Sequence, residues 1–443
     1  MWQMILNAFR VKDIRNKLLF TLFMLLVIRI GSNIPVPGAN TDFFKNLFDN
    51  LQAQNAVGWL SNMTGGSFEE MSVFALSITP YITSSIIMEL LTIAIPALEE
   101  IQKEGTDGRR KIAEYTRYVT VALALLESSA MAIGFSGSGF FKGYETGGAP
   151  VSTIIVAILA MTAGSAFLMW AGERITESGV GNGISIVLLF NILSSLPKDF
   201  GTIYERFLRG KNMAFMITYA LIILGIVVLI IALAVILQDA RRDIPVQYAS
   251  RIAGRNSMSN GASVIPLKVN TAGVIPVIFA SSIMSLPLII LQFLDIRNTV
   301  FNVFASVLNS GSWFRQEYPI YSVGCIIYIF LVIFFAYFYT SITFNPNEVA
   351  ANIKKGGGFI PGIRAGKETA DYLTRILNYI IFIGAVGLCI VALIPIIISG
   401  VFNISRISFA GTSLLIIVGV ILETLAQIKS QLIVRNYQGF LSE

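Results

Sequence analysis

The side chains that could do chemistry in this sequence are few. The chain of 443 residues has no histidine, which removes the commonest general base near neutral pH and the commonest metal ligand. Its two cysteines, Cys325 and Cys389, lie in apolar stretches, where cysteine usually acts as a small buried hydrophobic residue. Phosphate-binding glycine loops, zinc-protease motifs and serine-hydrolase elbows do not occur. We therefore predict no enzyme activity, no metal site, no disulfide and no cofactor.

The ionisable residues inside apolar segments are the remaining candidates, because such residues in a membrane core are usually functional. They are Arg29, Glu89, Arg117, Glu127 and Glu423, with Glu173 and Arg174 at a segment end. None pairs with another at close spacing along one helix, as the residues of a proton- or ion-coupled transporter would. We interpret each as an interfacial or interhelical polar contact.

The elements that carry these residues are long apolar segments. Hydrophobic residues make up 55% of the chain and charged residues 13%, about half the charged share of a soluble domain. Most of the ten segments reach the roughly 20 residues that a spanning helix needs. They lie at 18–34, 72–95, 116–135, 151–173, 183–197, 214–237, 271–293, 319–344, 374–398 and 409–428. The composition predicts an all-α, polytopic membrane protein.

The distribution of Lys and Arg predicts the orientation of the segments. With ten spans and a cytoplasmic N-terminus, the inside loops carry more than twice as many Lys and Arg residues as the outside loops. If the short fifth segment did not span, this asymmetry would nearly vanish. We therefore predict a multi-pass protein with both termini in the cytoplasm, whose residues 1–17 form an amphipathic segment on the membrane surface.

A weak internal repeat suggests two related halves. Residues 80–88 and 276–284 share Pro, Ile, Ser, Ile and Met at the same five offsets. Chance could produce five matches in windows so rich in isoleucine and serine. If the repeat is real, each half has five spans, and an odd number of spans gives the halves opposite orientations.

Three connecting segments are unusual. Residues 58–71 are half apolar, too short to span and broken by Gly65-Gly66, which fits either an amphipathic loop or a re-entrant piece that covers a cavity. Two long basic loops, at about 238–270 and 345–373, are larger than topology requires. Such loops usually fix topology and touch anionic lipid, but a protruding docking surface is the sharper interpretation.

A series of short motifs covers nearly the whole chain. They are Arg29-Ile30-Gly31, 34–38, Phe74-Ala75-Leu76, Pro80-Tyr81-Ile82, Glu104-Gly105, 108–111, 115–118, 181–185, 266–270, 273–276, Phe344-Asn345-Pro346, 361–364 and Gly411-Thr412-Ser413. No single motif is decisive, but in their order and spacing they resemble the bacterial SecY family, the channel subunits of the Sec protein translocase.

The resemblance implies ten helices in two inverted five-helix halves around a central pore, and it assigns residues to four functions. The implied constriction ring of the pore is Ile78, Ile82, Ile184, Leu188, Ile278 and Ile416. A plug at about 59–70 would include Leu60, Ser61, Asn62, Met63, Thr64, Gly65 and Gly66. A lateral gate would carry Thr83, Ser84, Ser281 and Ser282. The motor or ribosome would dock on loops at about 239–268 and 345–370, through Arg241, Arg242, Arg251, Arg255, Lys354, Lys355 and Arg364.

The implied activity is passage of unfolded secretory polypeptides across the bacterial plasma membrane and lateral release of hydrophobic segments into lipid. The implied partners are SecE- and SecG-type small membrane subunits, the SecA motor ATPase, the ribosome, signal peptides, nascent polypeptides and anionic lipids. The predicted units are 1–17, a first half at 18–197, an external loop at 198–213, a second half at 214–428 and a cytoplasmic tail at 429–443. The alternative is a secondary transporter of a small solute, which would show a polar binding cluster at mid-membrane instead of an aliphatic ring.

Overall fold

The computed structural model describes a predominantly helical chain. The described residues are 9–41, 64–134, 136, 140–142, 149–204, 212–248, 263–293, 299–314, 319–401 and 413–441. They contain thirteen α-helices: α1 Lys12–Ser32, α2 Thr79–Ala94, α3 Pro96–Lys103, α4 Thr106–Gly134, α5 Val151–Ser178, α6 Gly183–Ile203, α7 Met213–Asp239, α8 Ile275–Phe293, α9 Thr299–Leu308, α10 Val323–Thr343, α11 Pro346–Lys355, α12 Lys367–Val401 and α13 Ser413–Leu441.

Each of the ten predicted apolar segments overlaps one of these helices, and the all-α fold class is confirmed for the bundle. Five stretches of the described chain are long and apolar enough to cross a membrane by themselves: Val151–Ser178, Phe215–Asp239, Pro319–Lys355, Lys367–Ile398 and Ser413–Leu432. Helices α2 and α3 reach the same criterion together but are bent by 100° at Ile95. The apolar parts of α6 and α8 are shorter, at Gly183–Pro197 and Ile275–Ser285.

Several helix boundaries differ from those of the apolar segments, and two of the helix starts are explained by their local sequence. Helix α2 begins only at Thr79, because the preceding residues 64–78 form successive turns and Pro80 supplies the fixed backbone of a first helical turn. Helix α12 begins at Lys367, ahead of its apolar segment, because the polar residues there continue the helix beyond the apolar stretch. Helix α12 therefore extends out of the apolar bundle into the connection between α11 and α12.

Helix packing repeats between the two halves. In the first half, α2 packs against α4, α4 against α5, and α1 against α5. In the second half, α8 packs against α10, α10 against α12, and α7 against α12, which is the same order of neighbours. The halves also touch each other, through α6 with α13 and through α8 with both α2 and α4.

The backbone that enters α2 and α8 also repeats. A Cβ atom on Gly164 of α5 would collide with the carbonyl oxygen of Val73, and one on Gly384 of α12 would collide with that of Val269. Four residues after each valine the chain is left-handed, with φ of 52° at Ser77 and 63° at Gly273. The pair Val73 and Val269 and the pair Ser77 and Gly273 keep the offset of the sequence repeat, so they support two related halves.

A small sheet, which the sequence analysis missed, joins the two basic loops. Strand β1 (Arg241–Tyr248) pairs antiparallel with β2 (Ser263–Lys268) and with β3 (Gly358–Phe359). Its buried side chains, among them Ile244, Val246 and Leu267, pack with residues of α11 and α12. The sheet is therefore fixed to the helix bundle through a hydrophobic core of its own.

Candidate functional site

The six residues assigned to the constriction ring lie in one hydrophobic cluster. Five are buried, and the partly buried Ile184 packs against them. They come from α2 and the residue before it, from α6, from α8 and from α13, so both halves contribute. Every side chain in the set is aliphatic and offers no hydrogen-bonding group. The set can fill or seal a space but cannot bind a solute specifically.

Helix α6 is positioned by polar contacts at its start. The side chain of Asn182 accepts hydrogen bonds from the backbone N–H groups of Ile184 and Ser185, which caps the helix. The hydroxyl of Thr176 accepts from the N–H of Gly183 at 2.8 Å. A Cβ on Gly183 would collide with the carbonyl of Gly172, so glycine is required where α6 meets α5. These contacts fix the first turn of α6, which carries Ile184.

The described part of the assigned plug is buried. Thr64, Gly65 and Gly66 belong to a run of turns that ends at Met71, and Thr64 is 1% exposed. Gly65 has a left-handed φ of +64°, and a Cβ on it would lie 2.9 Å from the carbonyl oxygen of Asn191 in α6. A glycine is therefore needed for this segment to reach α6. The assigned residues Leu60, Ser61, Asn62 and Met63 lie outside the described residues.

The turn between this segment and α2 is held by groups that the sequence analysis missed. The side-chain amide of Asn191 donates to the hydroxyl of Ser77 at 3.1 Å, and the hydroxyl of Ser165 donates to the carbonyl oxygen of Ser77 at 3.3 Å. On the other side of the turn, the N–H of Val73 donates to the carbonyl of Ile34 at 2.9 Å. An asparagine in the apolar run of α6 was the available signal, since a buried amide needs a partner.

The assigned gate residues lie near the contact between the halves. Helix α8 packs against α2 and α4 there. Thr83 donates to the carbonyl of Thr79, and the hydroxyl of Ser84 pairs with that of Thr120 in α4. Ser282 is buried, whereas Ser281 is partly buried. These hydrogen bonds of Thr83 and Ser84 stay within the first half and do not bridge to α8.

The assigned docking cations surround the small sheet. Arg241, Arg242 and Arg364 are exposed, and Lys354 and Lys355 form the last turn of α11. Helix α11 is capped by Asn345, whose side chain accepts from the N–H groups of Asn347 and Glu348. The sequence analysis missed this helix although asparagine, proline and an early glutamate signal a helix start. Arg251 and Arg255 lie outside the described residues.

Two ionisable residues interpreted as interhelical contacts do form one. The guanidinium of Arg117 in α4 donates to the carboxylate of Glu173 in α5 at 2.9 Å. Beyond the apolar part of α4, Lys111 bonds Glu104 at 3.1 Å, and this hydrogen bond raises the pKa of Lys111. These contacts tie neighbouring elements together.

Comparison with known proteins decides the family. The model of the SecY family matches residues 72–425. A protein of Streptomyces coelicolor named "Protein translocase subunit SecY" is 43% identical over 98% of both chains. One of the same name from Bacillus subtilis is 42% identical over the full length of both chains.

The chain belongs to the SecY family.

Solved structures agree with the SecY fold. "The structure of a protein conducting channel" superposes with a TM-score of 0.62, covering 94% of this chain and 92% of the other at 18% identity. A structure titled "Sec61 in the Canine ribosome-channel complex from the endoplasmic reticulum" gives 0.57 over the same shares at 17% identity. At such identities the likeness establishes the fold alone. The family model and the relatives confirm the predicted family and multi-pass membrane character, and the superpositions confirm the predicted fold class.

Proposed function

We propose that this chain is the protein-conducting channel subunit of a bacterial translocase. It passes unfolded secretory polypeptides across the plasma membrane and releases hydrophobic segments sideways into lipid. The observation that carries this proposal is that the six assigned ring residues, all aliphatic and placed in or directly before four helices of the two halves, lie in one hydrophobic cluster. The names of its relatives, translocase subunits with matching length, support the same activity.

An aliphatic ring suits a substrate that presents every type of side chain. Fixed charges or hydrogen-bonding groups would retain some sequences and repel others, whereas an apolar constriction excludes water when it is empty. The ring residues proposed are Ile78, Ile82, Ile184, Leu188, Ile278 and Ile416. The buried segment that includes Thr64, Gly65 and Gly66 is proposed as part of a plug that seats against α6.

The contact of α8 with α2 and α4 is proposed as a lateral gate. A signal sequence with a core of about ten apolar residues gains roughly 0.8 kcal/mol for each CH₂ group that it buries in lipid. A seam that separates gives this segment a route from the pore to the bilayer. Thr83, Ser84, Ser281 and Ser282 are the polar residues proposed along that seam.

The energy for transport is proposed to come from partners. The two basic loops that the sheet joins offer Arg241, Arg242, Lys354, Lys355 and Arg364 to a SecA-type motor or to a ribosome, and the solved Sec61 structure is of a ribosome–channel complex. Small subunits of the SecE and SecG type are proposed to complete the complex. Ten spans with both termini in the cytoplasm of a bacterial cell remain the topology that the Lys and Arg distribution favours.

Reconstitution tests this function. Vesicles that contain the chain with its small subunits should protect a signal-bearing precursor from added protease when a purified motor ATPase and ATP are present. Protection should disappear without ATP and in vesicles that lack the chain. Equal protection in vesicles without the chain would overturn the proposal, as would ATP-independent uptake of a small solute with no transport of the precursor.

A further inference from the structure

The turn at Ser77 is an unusual piece of backbone. Its φ of 52° is left-handed, a conformation in which the Cβ of an L-residue crowds the following carbonyl. Serine has no special tolerance for it, and the equivalent turn in the second half uses glycine, Gly273. Something other than local preference must therefore hold Ser77 in place.

Two helices supply what holds it. Ser165 of α5 donates its hydroxyl to the carbonyl oxygen of Ser77, and Asn191 of α6 donates its amide to the hydroxyl of Ser77. Ser77, Ser165 and Asn191 are 2%, 1% and 6% exposed, so water does not compete for these bonds. Buried hydrogen bonds of this kind hold a disfavoured backbone conformation that would otherwise relax.

Asn191 also touches the segment that the turn controls. Its backbone forms the surface against which Gly65 packs, while its side chain holds Ser77 at the start of α2. One residue of α6 therefore contacts both ends of residues 65–77. A shift of α6 would therefore loosen two things together: the packing of the segment around Gly65 and the turn at Ser77 that sets the direction of this segment.

We propose that Asn191 and Ser165 are positioning residues that clamp the left-handed turn at Ser77 and thereby keep the buried segment around Gly65 seated in the resting channel. The clamp acts through Ser77 and contacts no transported polypeptide. It rests on the proposed function, because it assumes that this segment closes a pore. When a polypeptide entering the pore displaces α6, the clamp opens and the turn is free to relax.

Resting ion conductance in planar bilayers tests the clamp. Asn191→Ala removes one buried hydrogen bond and should raise the fraction of time that the channel is open by about fivefold. Ser165→Ala should act in the same direction. Ser77→Ala should also leak, because it keeps the Cβ in the left-handed turn but loses the hydroxyl. Ser77→Gly should stay within about twofold of the unmodified channel, because glycine adopts the turn without a clamp.

Rescue separates the clamp from general loosening of the bundle. Adding Ser77→Gly to Asn191→Ala should bring conductance back close to that of the unmodified channel. The matched control is Ser128→Ala, which deletes a buried bond of 2.9 Å to Thr162 between α4 and α5, away from the turn. It should lower the unfolding temperature in detergent without raising conductance.

Several results would overturn the clamp. They are resting channels of Asn191→Ala or Ser165→Ala as tight as the unmodified one, equal leakage from Ser77→Gly and Ser77→Ala, or equal leakage from Ser128→Ala. If Asn191→Ala does not accumulate, Ser165→Ala and the double variant with Ser77→Gly still decide the matter. Precursor transport by the unmodified channel, measured in parallel, separates failure of the clamp from failure of the proposed function.

Discussion

The turns that precede α2 and α8 have the same backbone pattern but lie in different surroundings. Each places a valine carbonyl against a helix glycine, Gly164 or Gly384, and each becomes left-handed four residues later. The first turn leads from the buried segment near Gly65, and its left-handed residue is a clamped serine. The second turn leads from strand β2 of the basic sheet, and a Cβ on Gly273 would meet nothing within 4 Å.

This difference shows that an inverted repeat can use the same left-handed turn before a helix for two purposes. In the opposite orientations predicted from the Lys and Arg distribution, the two helix entries face opposite sides of the membrane. We infer that the first turn was adapted to hold a plug and the second to carry a docking surface. The left-handed turn at Ser77 depends on hydrogen bonds with neighbouring helices, whereas Gly273 adopts the second turn without such partners.

The largest expected effect comes from the shared valine contacts. Gly164→Leu and Gly384→Leu would each force a side chain into a backbone carbonyl that cannot rotate away. We expect each to destabilise the protein by about 3 kcal/mol or more. Unfolding temperature in detergent, followed by size-exclusion fluorescence, measures it.

The control for this pair is Gly225→Leu in α7, where a Cβ would meet nothing within 4 Å. It should leave the unfolding temperature unchanged or raise it, because leucine favours a helix more than glycine does. If only one of the two glycine positions is sensitive, the structural equivalence of the halves is wrong.

These contacts show what the sequence could and could not predict. The ten apolar segments were visible because a uniformly apolar helix such as α7 carries its signal in composition alone. The left-handed turn at Ser77 could not be predicted, because the partners that hold it are distant in sequence and serine normally avoids that conformation. Strand β1 was hidden by Pro245, since proline within a run argues against a strand.

The assigned site residues also divide into those that the sequence could predict and those that it could not. The aliphatic ring came from the family resemblance, because isoleucines in apolar helices are indistinguishable by composition. Helix α11 could have been predicted from Asn345, Pro346 and Glu348, and it was missed because the glycines that follow drew the interpretation toward irregular structure. Asn191 was visible as a polar residue within an apolar run, but its partner Ser77 is 114 residues away in sequence and could not be predicted.

The second effect concerns the ring, where the two halves meet. Replacing Ile82 and Ile278 together with serine takes one member from each half and places two hydroxyls in the constriction. We expect resting channels to conduct ions, because a polar constriction fills with water. Planar-bilayer recording should show at least a severalfold rise in conductance over the unmodified channel.

The control is Leu125→Ser with Ile283→Ser, which changes two exposed side chains of α4 and α8. A ring variant as tight as this control contradicts the assignment.

The third effect compares two helix caps, one in each half. Asn182→Ala and Asn345→Ala each remove a side chain that accepts from two backbone N–H groups, and each should destabilise its helix by about 1 kcal/mol. Asn182→Ala loosens the start of α6 and should raise resting conductance. Asn345→Ala loosens α11 and should weaken motor binding at unchanged conductance. If both variants change the same property, the starts of α6 and α11 do not have separate functions.

The smallest effect on stability is expected at Arg364. Its side chain is exposed, so Arg364→Glu should change stability by about 0.5 kcal/mol or less. Motor-driven transport into vesicles should nevertheless collapse, and Arg364→Lys should fall between, because the planar fork of arginine suits paired acceptors better than lysine does. Arg110→Glu, also exposed, is the matched control and should transport normally. Near-normal transport by Arg364→Glu would rule out its proposed role in docking.

The most direct test of the account is a cross-link between the proposed ring and a polypeptide in transit. A photoreactive amino acid is placed at position 278, within the aliphatic cluster, or at position 283 on the same helix, where the side chain is 37% exposed. A precursor fused to a folded domain is then stalled during motor-driven transport. The account predicts that the stalled chain cross-links to position 278 and not to position 283, and only when ATP has been supplied. A stalled precursor that cross-links equally to both positions, or to neither while transport proceeds, would contradict the claim that the polypeptide passes through this ring.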